Sequence, residues 1–263
     1  MVGAVGGKPR PSKRRRDRVD ARDLVRAANV YQAAYERQLS SYARTRLPAP
    51  LRAMTAAVAA GSALAAAGAS PKQYRQHWKA AARMLATRLK FQAKRTGYVS
   101  LGFHDWDILA VAYLARSVSK IVEVYDANAK LSAEQIGVPR ARFFERALVA
   151  VLSGDGLEVS DAEAEALTHD TAHIYWVRLL EAASARDARD LRDILVEYLR
   201  AVHAPFDDER RHTDDPRRPY PGPLSVIGCA LCAVVGKVPR LPEDVSHYVE
   251  PAVVRSALGA RRM

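Results

Sequence analysis

Apolar residues recur at three- and four-residue intervals along almost the whole chain. Leu24, Ala28, Tyr31, Tyr35, Leu39 and Tyr42 fall on one stripe, and Tyr74, Trp78, Ala81, Leu85 and Leu89 on another. Phe143, Phe144, Ala147, Leu148, Val151 and Leu152 repeat the pattern, as do Leu191, Ile194, Leu195, Tyr198, Leu199 and Val202. That spacing keeps apolar side chains on one side of an α-helix. No stretch alternates with period two between turn signals, so no sheet is predicted. Ala53 to Ala69 is apolar but alanine-rich and broken by Gly61 and Gly68, which suits a closely packed helix. Neither it nor Leu224 to Val235 reaches the ~20 residues of a bilayer span.

Start and stop signals bound these helices. Ser70-Pro71-Lys72-Gln73 offers an N-cap serine, a proline at the first helical position and a glutamine that reaches back. Ser132 with Gln135, and Ser160 with Glu163, repeat the box. Leu47-Pro48-Ala49-Pro50, Gly97, Gly137-Val138-Pro139 and Gly154-Asp155-Gly156 are stops. Asp207 to Pro223 reads as a long exposed loop that delivers the chain to an apolar helix ending near Gly236. The expected fold is all-α: a multi-helix bundle, or two helical subdomains sharing a core. A soft boundary lies at Gly97–Gly102. The expected regions are a disordered basic arm at 1–19, a basic helical region at 20–102 and an acidic helical domain at 103–263.

Charge makes that division sharper. Residues 1–102 carry 21 basic and 4 acidic side chains, a net +17, whereas residues 103–263 carry 20 and 25, a net −5. From Arg37 to Gly102 there are twelve Lys and Arg and no Asp or Glu. Charge of one sign gathered on one face steers a partner of the other sign. The acids of 155–215 gather at two ends: Asp155, Glu158, Asp161, Glu163, Glu165 and Asp170, then Asp207, Asp208, Glu209, Asp214 and Asp215. Between them Asp187, Asp190 and Asp193 alternate with Arg186, Arg189 and Arg192, as on a solvated helix face. The end clusters are expected to be exposed.

Candidate chemistry is sparse. His169 and His173 stand four apart, as metal ligands on one helix face would, but Asp170 occupies the place where the zinc-protease pattern needs glutamate. Packing and capping are the expected roles, with no metal. Cys229 and Cys232 have redox-motif spacing inside an apolar run, with no neighbouring cation to lower a thiol pKa, and are expected to be buried. Two cysteines build no disulfide scaffold. Asp105 and Asp107 suit the start of a helix. No nucleophile elbow or phosphate loop is present, so neither an enzyme nor a cofactor is expected. No secretory signal follows the basic start, and a cytoplasmic protein without a membrane partner is expected.

The layout from 103 to 254 resembles the all-helical C-terminal domain of immunity proteins that neutralise polymorphic nuclease toxins. The residues that carry it are Asp105-Trp106-Asp107, Tyr175-Trp176-Val177-Arg178-Leu179-Leu180-Glu181 and Tyr198-Leu199-Arg200-Ala201-Val202-His203. Tyr220-Pro221-Gly222-Pro223-Leu224-Ser225, the apolar helix and Tyr248-Val249-Glu250-Pro251 complete it. The resemblance implies binding to a cognate toxin and occlusion of its active site. The acidic end clusters are then candidate contacts for a basic nuclease groove. The alternative is a helical nucleic-acid-binding protein that uses Lys13, Arg14, Arg15, Arg16, Lys90, Lys94 and Arg95.

Overall fold

The computed structural model describes residues 20–42, 51–101, 105–132, 139–155, 171–211 and 222–259. Among them the regular elements are helices and there is no strand, so the all-α expectation holds. The helices are α1 (Ala21–Tyr42), α2 (Leu51–Ala66), α3 (Pro71–Thr96), α4 (Asp105–Leu114), α5 (Ser119–Ser132) and α6 (Pro139–Ser153). Then follow α7 (Thr171–Ser184), α8 (Ala188–Tyr198), α9 (Ala204–Arg211), α10 (Val226–Val235) and α11 (Pro251–Leu258). A π-helical turn, Leu199–His203, joins α8 to α9. The arm at 1–19, the Ser132 side chain with Gln135, and Ser160 with Glu163 lie outside the described residues.

Two helices that are apolar on nearly every side, α4 and α10, pack against each other at the centre. A helix with no polar face has to be covered all round. Accordingly α2, α3, α6 and α11 pack on α4, while α6, α7, α8 and α11 pack on α10. One apolar cluster runs from Met54 to Val254, so the two halves of opposite charge share a core. The soft boundary at Gly97–Gly102 divides charge without dividing the core.

The alanine-rich α2 lies between α1 and α3. Small side chains allow close approach, and α2 is buried from Ala56 to Ala63. At Gly61 a methyl group would overlap Cδ1 and Nε1 of Trp78, which is fully buried. The glycine is required there by the indole, not by its backbone angle. Leu24, Ala28 and Tyr31 of α1 cover the other side of α2.

The ends follow the sequence signals. Gln73 Oε1 accepts from the Ser70 N–H at 3.0 Å and its hydroxyl at 2.7 Å, opening α3. Gly97 closes it with φ 77°. The Ser225 hydroxyl accepts from Gly228 N–H at the start of α10. Asp207 to Arg211 corrects the loop expectation: these residues form α9.

Candidate functional site

Eight cations decorate α3, and packing sorts them into two kinds. Arg75 and Arg88 turn toward the core. Arg75 Nη2 donates to the carbonyl of Ser256 at 2.5 Å, and Arg116 Nη2 donates to the same carbonyl at 2.7 Å. Two arginines thus satisfy a free carbonyl in the last turn of α11, where positive charge also suits the helix dipole. Tyr74 shares a 2.8 Å hydroxyl bond with Ser256. Arg116 holds φ 59°, a left-handed backbone that a non-glycine residue rarely adopts, as it leaves α4 for this contact. Arg88 pairs with Asp105, whose side chain is 1 % exposed. The six remaining cations, Lys72, Lys79, Arg83, Lys90, Lys94 and Arg95, face solvent.

The C-terminal end of α3 edges a cleft of about 540 Å³. Arg88 and Asp105 line it together with Phe91, Gln92, Arg95 and Ser100. Phe91 is a large apolar side chain left 37 % exposed beside Arg95. Lys90, Lys94 and Arg95, the described members of the alternative nucleic-acid set, therefore stand together at this end. Lys13, Arg14, Arg15 and Arg16 lie outside the described residues.

The acidic set is divided differently. Asp155, Asp208 and Glu209 are exposed, but Asp207 is 4 % exposed and belongs to the buried side of α9. Consecutive residues on a helix point about 100° apart, so Asp207 and Asp208 face different surroundings. Glu158, Asp161, Glu163, Glu165, Asp170, Asp214 and Asp215 lie outside the described residues. Asp126, which the sequence did not single out, joins Asp155. Partial burial, then the negative charge of Asp155, raise its pKa from the ordinary carboxylate value. In the middle segment Asp187 accepts from the N–H groups of Arg189 and Asp190, capping α8. Those two bonds hold its pKa below the ordinary value.

The remaining motifs are architectural where the structure describes them. Both cysteines are free and buried in α10. Desolvation pushes the Cys229 thiol up to about 12 and that of Cys232 higher still, the opposite of a reactive thiolate. His169 and the side chain of His173 lie outside the described residues. Asp105, at the start of α4, is the buried partner of Arg88 as well as a helix-start acid.

Aromatic side chains from four separated stretches between residues 105 and 250 meet in space. Trp106 touches Trp176 edge-on at 5.9 Å between ring centroids, and Trp176 touches Tyr198 at 5.2 Å. Tyr198 neighbours His203 at 6.3 Å, and His203 meets Tyr248 at 4.8 Å. The π-helical turn aims His203 so that its Nε2 lies 3.0 Å from the Pro223 carbonyl. Ser225 N–H donates to the Tyr248 carbonyl at 2.8 Å, tying the start of the apolar helix to the segment that precedes α11. Burial, then the charge of Asp107, raise the Tyr198 pKa well above its ordinary value.

No protein-family model, curated protein or solved structure matches this chain.

The functional reading therefore rests on the site itself. The sequence signal missed Arg75, Arg88 and Arg116 as structural cations. Only the depth of Asp105 and the position of Ser256 distinguish them from the solvated arginines. Exposure of Phe91 was likewise invisible, because an aromatic on a helix is buried more often than not.

Proposed function

We propose that this chain is a non-enzymatic immunity protein, acting in the cytoplasm, that binds a cognate toxin of the nuclease class and blocks its active site. The observation that supports it most is the aromatic row Trp106–Trp176–Tyr198–His203–Tyr248. It ties four separated stretches of the layout into one body around α10. A rigid domain of this kind presents charged surface with little ordering cost on binding. Asp126, Asp155, Asp208 and Glu209 are exposed acids suited to a basic substrate groove. Long-range attraction of that kind speeds encounter and falls with salt.

The test is affinity purification of the tagged full chain from its native host after nuclease digestion. The expected result is one stoichiometric protein that is toxic alone and harmless when co-expressed with this chain. Absence of any such neutralised partner would sink the proposal. Asp208→Lys combined with Glu209→Lys then tests the contact surface, with protection expected to fall while the circular-dichroism melt stays put. Asp207 is unsuitable for that test, because a lysine there would be forced into a buried position.

A further inference from the structure

We infer that the outer face of α3 is a track for single-stranded nucleic acid, with Phe91 as its stacking platform. This inference stands apart from the toxin reading and survives or fails without it. Lys72, Lys79, Arg83, Lys90 and Lys94 are spaced by seven, four, seven and four residues. At about 3.6 residues per turn they fall within about 60° of one another on the helix surface. Their span is 22 residue steps of about 1.5 Å, roughly 33 Å in a nearly straight line. All five are exposed, and among the described residues none makes an ion pair.

The row is not an ordinary solvated face. Lys79 with Arg83, and Lys90 with Lys94, are like-charge pairs at i and i+4, which weaken a helix. No acid on α3 offsets them. Glu36 of α1 is the nearby carboxylate: with Arg83 it bears on Tyr35, where burial is the larger influence. The cations that the fold needs, Arg75 and Arg88, have left the row for Ser256 and Asp105. What remains is charge in a line that makes no ion pair among the described residues, an arrangement that matches a repeating anion.

Phe91 narrows the class of polyanion. It is 37 % exposed, stands at the edge of the row about 60° round the helix from Lys94 and about 40° from Arg95, and opens onto the 540 Å³ cleft. An exposed ring beside a row of cations is the combination by which single strands are held: bases stack on the ring while phosphates pair with the cations. Arg95 and the Gln92 amide, both lining the cleft, can donate to a base edge or phosphate there. A duplex would bring phosphates but keep its bases stacked away from Phe91.

The experiment is fluorescence anisotropy of the full chain with labelled single-stranded DNA and RNA oligonucleotides, and with a duplex of equal length. If all five cations meet phosphates, log affinity should fall against log salt with a slope of about −3.5, roughly 0.7 per contact. Lys79→Gln with Lys90→Gln should flatten that slope by about 1.4. Phe91→Ala should weaken single-strand binding roughly tenfold without changing the slope. Thermal melts confirm that the surface variants fold. Absence of binding at about 50 mM salt would overturn the inference. So would full binding by the Lys79/Lys90 variant together with loss on Arg14→Gln, Arg15→Gln and Arg16→Gln, which would assign binding to the arm. Equal displacement by polyglutamate would reassign the row to an acidic protein surface. Tighter duplex binding that ignores Phe91→Ala would overturn the single-strand assignment.

Discussion

Helices α3 and α8 are built alike on the inside and oppositely on the outside. Each buries one apolar stripe: Tyr74, Trp78, Leu85 and Leu89 in the first, Leu191, Ile194, Leu195 and Tyr198 in the second. On α8 the charges alternate in sign and are tied to the chain's own groups. Asp187 caps the helix, Arg192 reaches Asp193 at 2.5 Å and the Arg240 carbonyl at 2.9 Å, and Glu197 meets Arg178 at 3.2 Å. On α3 no acid is present, and the outward cations make no ion pair among the described residues; Arg83 alone donates, to the Lys79 carbonyl at 3.3 Å. The contrast teaches that net charge is a poor guide to available charge. The acidic half devotes many of its charges to its own architecture, while the basic half leaves a line of them to solvent.

The largest effect should come from the shared inner face. Trp78→Ala should destabilise the chain by about 3–5 kcal/mol, since α2 has only small side chains to fill the space. A thermal melt close to wild type would mean that α3 is not part of the common core. Next is the inward cation. Arg88→Met removes the charge that pairs with buried Asp105 and should cost about 3 kcal/mol in chemical denaturation. The outward Lys90→Met should cost far less, and equal losses would erase the distinction drawn between the two kinds of cation.

Alkaline titration tests the acidic half in the same way. Cys229 has a folded pKa raised from 9.0 to about 12. Its contribution to stability is complete below about 9, the unfolded value, and is lost as pH climbs toward about 12. Denaturant midpoints should therefore fall above pH 9, and less so in Cys229→Ala. Ser62 provides a smaller effect of opposite sign. It is 2 % exposed with no hydrogen-bond partner for its hydroxyl among the described residues. Ser62→Ala should raise stability by about 1 kcal/mol, because a buried unpaired hydroxyl is removed and helix propensity improves.

The smallest change in stability belongs to the charge row. Lys79→Glu with Lys90→Glu turns two like-charge pairs into attractive ones with Arg83 and Lys94. A gain of a few tenths of a kcal/mol is expected, together with loss of oligonucleotide binding. Stability and binding moving in opposite directions would be the clearest mark that α3 keeps its cations for a partner. A drop in both would place the row in the fold instead.

Helix positions were legible because burial periodicity and capping are local. The stripe from Tyr74 to Leu89 and the stops at Gly97 and Gly236 needed only their own neighbours in sequence. The role of Cys229 and Cys232 was legible for the same reason, since an apolar run around a thiol predicts its burial. The candidate surfaces were less so. Asp207 resembled Asp208 in composition and context, and only the docking of α9 turned one inward. The loop expectation for 207–211 failed because charge density resembles a linker, whereas a helix needs only a buried side to hold it.

By itself, then, the sequence determined the helical class, most helix ends and the separation of charge between the two halves. These follow from the period of apolar positions, the side chains that cap helix ends and simple counting. Only the tertiary structure decided which charges remain available. Arg75 and Arg88 became structural because Ser256 and Asp105, remote or shifted in sequence, were brought under them by the packing of α4 and α11. Their neighbours on the same helix, turned by another fraction of a turn, stayed in water. Direction around a helix is set locally, but what lies in that direction is a property of the whole fold.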